Sequence, residues 1–495
     1  MRYVPLFLPF LLAYLLQDTP AASYWVAWAG SFFILGMTLS GKVKRLPEGR
    51  PLIFQLFRPI VFTQLIFAGY TCLTSVFYFL SISRQTGLPG WVPATLPLVA
   101  QAQSYYVLMH AAVATGMLVF MNYGDSGHYR VVARLGANRL LLGISASFFL
   151  LYLVTKFFPG FFQVSYRLRD IAIVASVFSF ALSLIHREGT HIWLNAAVFA
   201  ANFGSALLGG WKEEVLVLLM LFFAALFPYY RKATAIVATV VFALFVVIMP
   251  AFTSVYRTMT WYGGIAPKVA ARLAFDELTS GRMDVSAMAE EFARGRLSEI
   301  GLFTIYVQQV PANRPFYGSQ IISQAAMNLV PRLVWATKPD TERLVMERVF
   351  ENQVYSRLSR ISAKPQFVVD AYLSFGVVGI VVGGLVYGML AAFLSRVAER
   401  WFGGYTLGSG LVFASLFKIF WRGNAFEFFF GTVFWSVMMM AVLFQLGTRF
   451  KLIVPTRSPA RPPAPLPPAK SAAPRWAELA HREGALRDSN GPTHS

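Results

Sequence analysis

Two short stretches in the second half of the chain place basic side chains beside prolines. Arg332 follows Pro331, and Lys338 precedes Pro339. Proline fixes its own backbone angle and so limits how far neighbouring side chains move, and guanidinium and ammonium groups are common ligands of phosphate. A single loop arginine is most often only a solvated charge, but the pair together predicts a diphosphate clamp.

Asp370 supplies a carboxylate where the chain returns to an apolar run. The surrounding residues read Val368-Val369-Asp370-Ala371-Tyr372-Leu373-Ser374-Phe375-Gly376-Val377-Val378-Gly379. A carboxylate at a partly dehydrated helix start, near basic groups, could act as a general base for a sugar hydroxyl. The same residue could instead be a helix N-cap, because Asp is favoured at that position. The sequence leaves both interpretations open.

Further charged and aromatic side chains extend this candidate site. Lys212 precedes two glutamates that the helix dipole favours at a helix start, and it could contact a phosphate or pair with them. Tyr317 and Trp335 are aromatic residues of the same stretch, and anchoring at a membrane interface is one role of such side chains.

The sequence holds none of the common motifs for nucleotides or metals. It has no phosphate-binding glycine loop, no HExxH, no GxSxG and no Cys/His metal pattern. Cys72 is the single cysteine, which excludes an intramolecular disulfide. His110 is either a functional intramembrane residue or a packing histidine. We therefore predict no metal and no cofactor.

The composition indicates which kind of fold positions these residues. The 495 residues are 56% hydrophobic and only 13% charged, against about 25% charged residues in soluble domains. So few charges cannot cover a water-soluble surface, which excludes a soluble enzyme, a disordered chain and a fibrous repeat. The net charge of +20 indicates a negatively charged partner. In a membrane protein, anionic lipid head groups or a phosphorylated substrate are favoured over nucleic acid as that partner.

The apolar runs predict an all-α polytopic integral membrane protein with about 12 transmembrane helices and one large, partly helical extracytoplasmic loop. The predicted spans are 3–17, 23–40, 57–82, 98–122, 139–158, 170–186, 191–210, 213–230, 233–252, 371–394, 406–421 and 425–447. The chain then divides into spans 1–9 (1–252), the large loop with short helices (253–370), spans 10–12 (371–447) and a Pro-rich disordered cytoplasmic tail (448–495).

Basic residues in the short loops set the expected orientation. With both termini cytoplasmic, the inside loops hold more Lys and Arg than the outside loops, as the positive-inside rule requires. The large loop and Asp370 then face the outside, which is the periplasm in a cell with two membranes.

These motifs resemble a known family, the oligosaccharide repeat-unit polymerases (Wzy-like, O-antigen polymerase type). The resemblance lies in Tyr317-Gly318, Val330-Pro331-Arg332, Trp335, Lys338-Pro339 and Asp370-x-Tyr372-x-x-Phe375-Gly376-x-x-Gly379, together with Gly210-Trp211-Lys212, Arg257 and Arg422-Gly423-Asn424. Members commonly carry Glu where this chain has Asp370, which keeps the carboxylate.

The resemblance implies a glycosyltransferase that joins undecaprenyl-diphosphate-linked oligosaccharide units into a surface polysaccharide at the outer face of a bacterial inner membrane. Asp370 and Arg332 would be the catalytic residues, Asp370 as the base and Arg332 as a positive charge for the departing diphosphate. Tyr317 and Trp335 could stack on sugar rings. Arg257, Lys338, Arg422 and Lys212 would bind the substrate diphosphate. The partners implied are the lipid-linked oligosaccharide, membrane lipid and, as a candidate, a chain-length regulator protein, with no nucleic acid.

Two other functions stay open on the sequence. An O-antigen ligase would use the same lipid donor but pass the finished glycan to another acceptor, and it more typically carries His before the re-entering span. A polytopic transporter or flippase of lipid-linked oligosaccharide would commonly show internal repeats and charges near the membrane midplane. Here the charges cluster at one predicted face, and no clear repeat is found.

Overall fold

A computed structural model describes residues 2–47, 50–84, 94–123, 128–132, 136–158, 161–187, 189–208, 212–330, 334–335, 337–358 and 363–456. In the first part of the chain, helices cover Leu8–Leu15, Pro20–Leu39, Pro59–Ile66, Phe67–Leu73, Ser75–Ser83, Leu96–Phe120, Ala137–Thr155, Phe162–His186, Gly189–Leu208, Lys212–Leu226 and Arg231–Arg257. In the second part they cover Thr258–Tyr262, Pro267–Thr279, Val285–Phe292, Ala293–Leu297, Ile300–Gln309, Gln320–Leu329, Thr341–Glu351, Phe367–Trp401, Thr406–Phe413, Ala414–Leu416, Ile419–Arg422 and Phe426–Arg449. Short 3-10 turns lie at Val4–Phe7 and Leu52–Phe54, and the strands Tyr129–Val131 and Ile453–Pro455 pair antiparallel.

The helical, apolar architecture is that of a membrane protein. Within the described ranges, seven helices are long and apolar enough to cross a bilayer: Pro20–Leu39, Pro59–Ser83, Ala137–Thr155, Gln163–His186, Arg231–Trp261, Phe367–Trp401 and Phe426–Arg449. Each of the other five predicted spans also overlaps a helix, but four of these helices are short and Leu96–Phe120 is less apolar. The twelve-span topology therefore stays a prediction. The predicted disordered tail (448–495) begins with ordered residues, because the last helix continues to Arg449 and Ile453–Pro455 pairs as a strand. From position 457 onward the tail lies outside the described residues.

The centre of the bundle is the contact between Leu96–Phe120 and Phe367–Trp401, which we call the central helix and the long helix. Their backbones meet closely at glycines: a Cβ on Gly388 would lie 2.1 Å from the Val113 carbonyl oxygen, and one on Gly116 would lie 2.3 Å from that of Leu385. Small residues allow such close approach, which is a main source of helix association inside membranes. The central helix is buried along nearly its whole length. It therefore does not need the continuous apolar surface of a lipid-facing span.

The long helix is broken near its start. Phe375 and Gly376 have non-helical backbone angles, and Gly376 has a φ of +60° that favours glycine. The break frees the carbonyls of Leu373 and Ser374, which accept hydrogen bonds from the backbone N–H groups of Tyr317 (2.9 Å) and Gly318 (3.0 Å). The Tyr317-Gly318 turn of the large loop therefore caps the first segment of the long helix, residues 367–374, which we call the site segment.

Residues 377–401 alone span about 37 Å at 1.5 Å per residue, more than the roughly 30 Å hydrocarbon core. The site segment thus lies at one end of the bundle, which we call the site end. At the opposite end, Arg58 donates from Nε and Nη2 to the two carboxylate oxygens of Glu399, both at 2.8 Å, and both side chains are buried. The long helix is therefore fixed at this opposite end by a buried ion pair.

Candidate functional site

Asp370 lies in the first turn of the long helix and is completely buried. Its Oδ2 accepts hydrogen bonds from Arg348 Nη2 (3.0 Å) and from the backbone N–H of Phe426 (2.8 Å). Its Oδ1 has no hydrogen-bond partner in the described part of the chain. Gln366, not Asp370, occupies the N-cap position, so the N-cap interpretation is wrong. The carboxylate instead faces the neighbouring helices.

Arg348 is the cation that meets Asp370. It lies on the helix Thr341–Glu351 of the large loop, on the same face as the buried Val345 and Val349, and its side chain is 2% exposed. Burial by itself would lower the pKa of this guanidinium, but the charges of Asp370 and Glu427 outweigh burial and raise the pKa above its usual value. Arg348 therefore carries its charge inside the protein.

Glu427 completes the cluster from the first turn of the last helix, Phe426–Arg449. Arg348 Nη1 lies 2.9 Å from Glu427 Oε1, and Arg348 Nη2 lies 3.1 Å from Glu427 Oε2. One guanidinium thus faces two buried carboxylates. Both carboxylates sit in the first turn of a helix, where the positive end of the helix dipole stabilises negative charge. We call Arg348, Asp370 and Glu427 the buried charge cluster.

Lys338 lies near this cluster but is directed at backbone and amide oxygens. Its Nζ donates to Asn328 O (3.1 Å), Asn328 Oδ1 (3.1 Å) and Val330 O (2.9 Å), at the end of the helix Gln320–Leu329. Asn328 Nδ2 in turn donates to the Glu427 carbonyl at 2.7 Å. The predicted basic residue is therefore joined to the buried charge cluster through Asn328.

Tyr317 is held by the same loop helix that carries Arg348. Its hydroxyl donates to Glu351 Oε2 (2.8 Å) and accepts from Asn352 Nδ2 (2.9 Å). Burial, followed by the hydrogen bond and charge of Glu351, raises the pKa of Tyr317 to about 12. Trp335 is half-buried and donates from Nε1 to Thr337 Oγ1 at 3.2 Å. Stacking of either ring on a sugar stays a prediction.

Two narrow clefts open beside Gln366, the residue before the long helix. The residues that line the outer cleft include Glu299, Tyr306, Lys364 and Val369. The inner cleft is lined by Arg422 and by several apolar side chains of the bundle. Gln366 lines both clefts and Val369 lines the outer one, whereas the neighbouring Asp370 lines neither cleft.

Arg422 joins the two clefts through an ion pair. Its Nη2 contacts Glu299 Oε1, and its guanidinium lies 5.1 Å from the centroid of the Tyr70 ring. The Arg422 side chain is 34% exposed and that of Glu299 is 15% exposed. This pair is therefore open to a ligand, in contrast to the buried charge cluster.

The other predicted site residues lie elsewhere or outside the described residues. Arg257 ends the helix Arg231–Arg257 and its guanidinium lies 4.5 Å from the Trp261 ring centroid, while its helix packs against Pro267–Thr279 and Val285–Phe292. Arg332 lies outside the described residues. Lys212 begins the helix Lys212–Leu226, and its side chain is outside the described part.

Among the described residues, no three His, Cys, Asp or Glu side chains converge in a way that could hold a metal ion. Cys72 is buried and accepts a hydrogen bond from Ser31 Oγ at 2.8 Å. His110 is also buried and packs against Phe67, with 4.9 Å between ring centroids. The two carboxylates of the buried charge cluster share a guanidinium instead.

Comparison with known proteins places the chain in a family without assigning an activity. The family described as Domain of unknown function (DUF8712) matches residues 8–455. The chain belongs to this family. The match includes every residue of the clefts and of the buried charge cluster. No curated protein and no solved structure matches the chain.

Sequence reasoning missed four residues of this site: Arg348, Glu427, Glu299 and Gln366. Two of them left a signal in the sequence. Glu427 is a lone carboxylate within the apolar run Phe426–Phe430, and ionisable residues in such runs are usually functional or paired. Arg348 shares a helical face with Val345 and Val349, so an arginine falls where the apolar pattern calls for burial. Glu299 and Gln366 carry no comparable pattern.

Proposed function

We propose that this protein is a membrane glycosyltransferase that polymerises undecaprenyl-diphosphate-linked oligosaccharide units. An acceptor hydroxyl attacks the anomeric carbon of the donor sugar, the bond from that carbon to the diphosphate oxygen breaks, and lipid diphosphate leaves. The hydroxyl proton passes to a base. Such a reaction needs a carboxylate beside the acceptor and fixed positive charge beside the leaving group.

The observation that carries the proposal is the setting of Asp370. Its Oδ2 is fixed by Arg348 and by the backbone of Phe426, while Oδ1 has no hydrogen-bond partner among the described residues. A carboxylate held this way has one oxygen available for a hydroxyl proton. Since Asp370 is fully buried, the wall formed by Gln366 and Val369 must move before a substrate hydroxyl reaches it.

Positive charge is available at the same end of the bundle. Arg422 and Lys364 line the clefts beside the site segment and are the basic groups best placed for the diphosphate. The resemblance adds Arg332, Lys338, Arg257 and Lys212 to this role. The proposal includes the finer topology: twelve spans in a bacterial inner membrane, with the large loop and the site end on the periplasmic side.

The decisive experiment is chain extension by the purified protein. The protein in liposomes is incubated with lipid-linked repeat units, and the lipid-linked products are separated by length. We expect a ladder of longer products from the wild type and roughly 100-fold less product, or lower still, from Asp370→Asn. Transfer of a complete glycan to a different acceptor would identify a ligase, and unchanged substrate with well-folded protein would overturn the proposal.

A transporter of lipid-linked oligosaccharide is the second candidate, and the break at Phe375–Gly376 favours it. Discontinuous helices with charged groups nearby are typical of transporter substrate sites. A vesicle assay separates the two functions, because a transporter moves a labelled lipid-linked unit across the bilayer without lengthening it.

A further inference from the structure

The ion pair Arg422–Glu299 joins two clefts, each of which combines apolar walls with a few polar side chains. Glu299 lines the outer cleft with Tyr306 and Lys364, whose Nζ lies 2.7 Å from Glu342 Oε2, and the other walls of this cleft are largely apolar. Arg422 lines the inner cleft, whose other walls are largely apolar and include Phe67 and Met109 from the bundle. A ligand that contacts both Arg422 and these apolar walls would combine an anionic part with an apolar chain.

The position of the pair favours an exchange in which another anion replaces Glu299 as the partner of Arg422. Its two side chains are partly exposed, and ion pairs in contact with water are weak because solvent screens them. A carboxylate offers Arg422 one negative charge, whereas a diphosphate offers more charge and more acceptor oxygens in a geometry that suits a guanidinium. The Tyr70 ring lies beside the Arg422 guanidinium and its hydroxyl lies 3.4 Å from Glu299 Oε1, so the same ring borders both members.

The position of Glu299 adds a second reason. Glu299 lines the outer cleft and its carboxylate contacts the Arg422 guanidinium, so an anion that enters from this cleft competes with that carboxylate. Gln366, which lines both clefts, has a buried Oε1 with no hydrogen-bond partner among the described residues. This carbonyl oxygen accepts hydrogen bonds, so it can bond to a hydroxyl group of a ligand but not to a deprotonated phosphate oxygen.

We propose that Glu299 is an internal counterion that occupies Arg422 until the anionic head of a lipid phosphate or diphosphate displaces it. The ligand's apolar chain then lies along the inner cleft and its head lies at the junction. This inference rests on the proposed function, from which it takes the kind of donor. It adds Glu299 to the site, together with a step in which the donor displaces Glu299 from Arg422.

Equilibrium binding to the purified full-length protein in detergent tests the exchange. The probe is a short-chain isoprenyl diphosphate. We expect Glu299→Gln to bind it at least several-fold more tightly than the wild type, because the competing carboxylate is gone, and Arg422→Gln to bind it at least tenfold more weakly. Glu347→Gln, which breaks the exposed pair with Arg357 on the same loop, is the matched control and should bind like the wild type.

Two further probes identify the source of the head group. Inorganic diphosphate tests the head alone, and an anionic phospholipid tests a membrane head group. Tightest binding of the isoprenyl diphosphate supports the lipid-diphosphate donor, whereas preference for the phospholipid supports exchange with membrane lipid instead.

Equal or weaker binding by Glu299→Gln overturns the exchange, while binding by the wild type would still support the proposed donor. Absence of binding by every variant counts against both. Glu299→Asp, which withdraws the carboxylate by one methylene, provides a second measurement if the Gln variant does not fold, and a smaller gain in affinity is expected from it.

Discussion

Arg348 and Asp370 form a buried ion pair in which Nη2 lies 3.0 Å from Oδ2, and the two side chains are 2% and 0% exposed. The pair joins the large loop to the start of the long helix. Because Arg348 also faces Glu427, it connects three segments of the chain at the site end. The structure of the site therefore depends on this arginine.

Removal of Arg348 should destabilise the protein strongly. Arg348→Ala leaves two buried carboxylates without a cation, and breaking a buried pair in this way costs about 3–5 kcal/mol. The thermal midpoint in detergent measures the effect. Arg357→Ala, at an exposed pair on the same loop, should leave the midpoint nearly unchanged. Equal midpoints for wild type and Arg348→Ala would show that the cluster is not structural.

The two carboxylates should differ in their effect on activity. Asp370→Asn should reduce chain extension by roughly 100- to 10,000-fold, the usual contribution of a general base. Glu427→Gln should retain most of the activity, because both Glu427 oxygens are occupied by Arg348 while Asp370 keeps Oδ1 for a proton. Initial rates on lipid-linked repeat units give the comparison. Equal losses in two folded variants would assign Asp370 a positioning role only.

Lys338 should contribute mainly to the stability of the fold rather than to the binding of the diphosphate. Lys338→Ala removes a buried ammonium that bonds to Asn328 and Val330, and hydrogen bonds to a charged group contribute about 1.5–3 kcal/mol. We expect a lower thermal midpoint, with the exposed Lys268→Ala as the control. If the midpoint is unchanged and only activity falls, Lys338 acts on the diphosphate instead.

A side chain at Gly376 should destabilise the break in the long helix. Alanine at a φ of +60° and a ψ of −138° lies in a region that favours glycine and costs about 1–3 kcal/mol, and its Cβ would lie 3.0 Å from Phe316 Cζ. Gly376→Ala should therefore lower the thermal midpoint. Gly143→Ala, inside Ala137–Thr155 with open space around it, should raise the midpoint slightly or leave it unchanged.

Ionisation of Tyr317 should lower the stability of the folded protein in strongly alkaline solution. Its pKa is raised to about 12 from the ordinary value of 10, so the folded protein holds this proton between pH 10 and 12 while the unfolded chain releases it. The stabilisation is complete below pH 10 and is lost as pH rises toward 12. The midpoint of Tyr317→Phe, referenced to pH 8, should therefore fall less over this range than that of the wild type. Parallel curves would contradict the assignment.

The sequence by itself determined the class of the protein and the places of its helices. Helix formation and burial in lipid depend on local runs of apolar residues, so each predicted span overlaps a helix, and seven of the described helices are long and apolar enough to cross a bilayer. The sequence also singled out Asp370, as a carboxylate at the start of an apolar run, and the Tyr317-Gly318 turn, through the resemblance of its motifs. It did not predict that this turn caps the broken long helix.

Only the tertiary structure decided which charges meet. Arg348 reaches Asp370 and Glu427 from positions 22 and 79 residues away, and Arg422 reaches Glu299 across 123 residues. No local pattern encodes such distant pairs, since a buried cation can neutralise any carboxylate that the packing of helices brings to it. The packing of the helices therefore places Arg348 in the buried charge cluster and Arg422 beside the clefts.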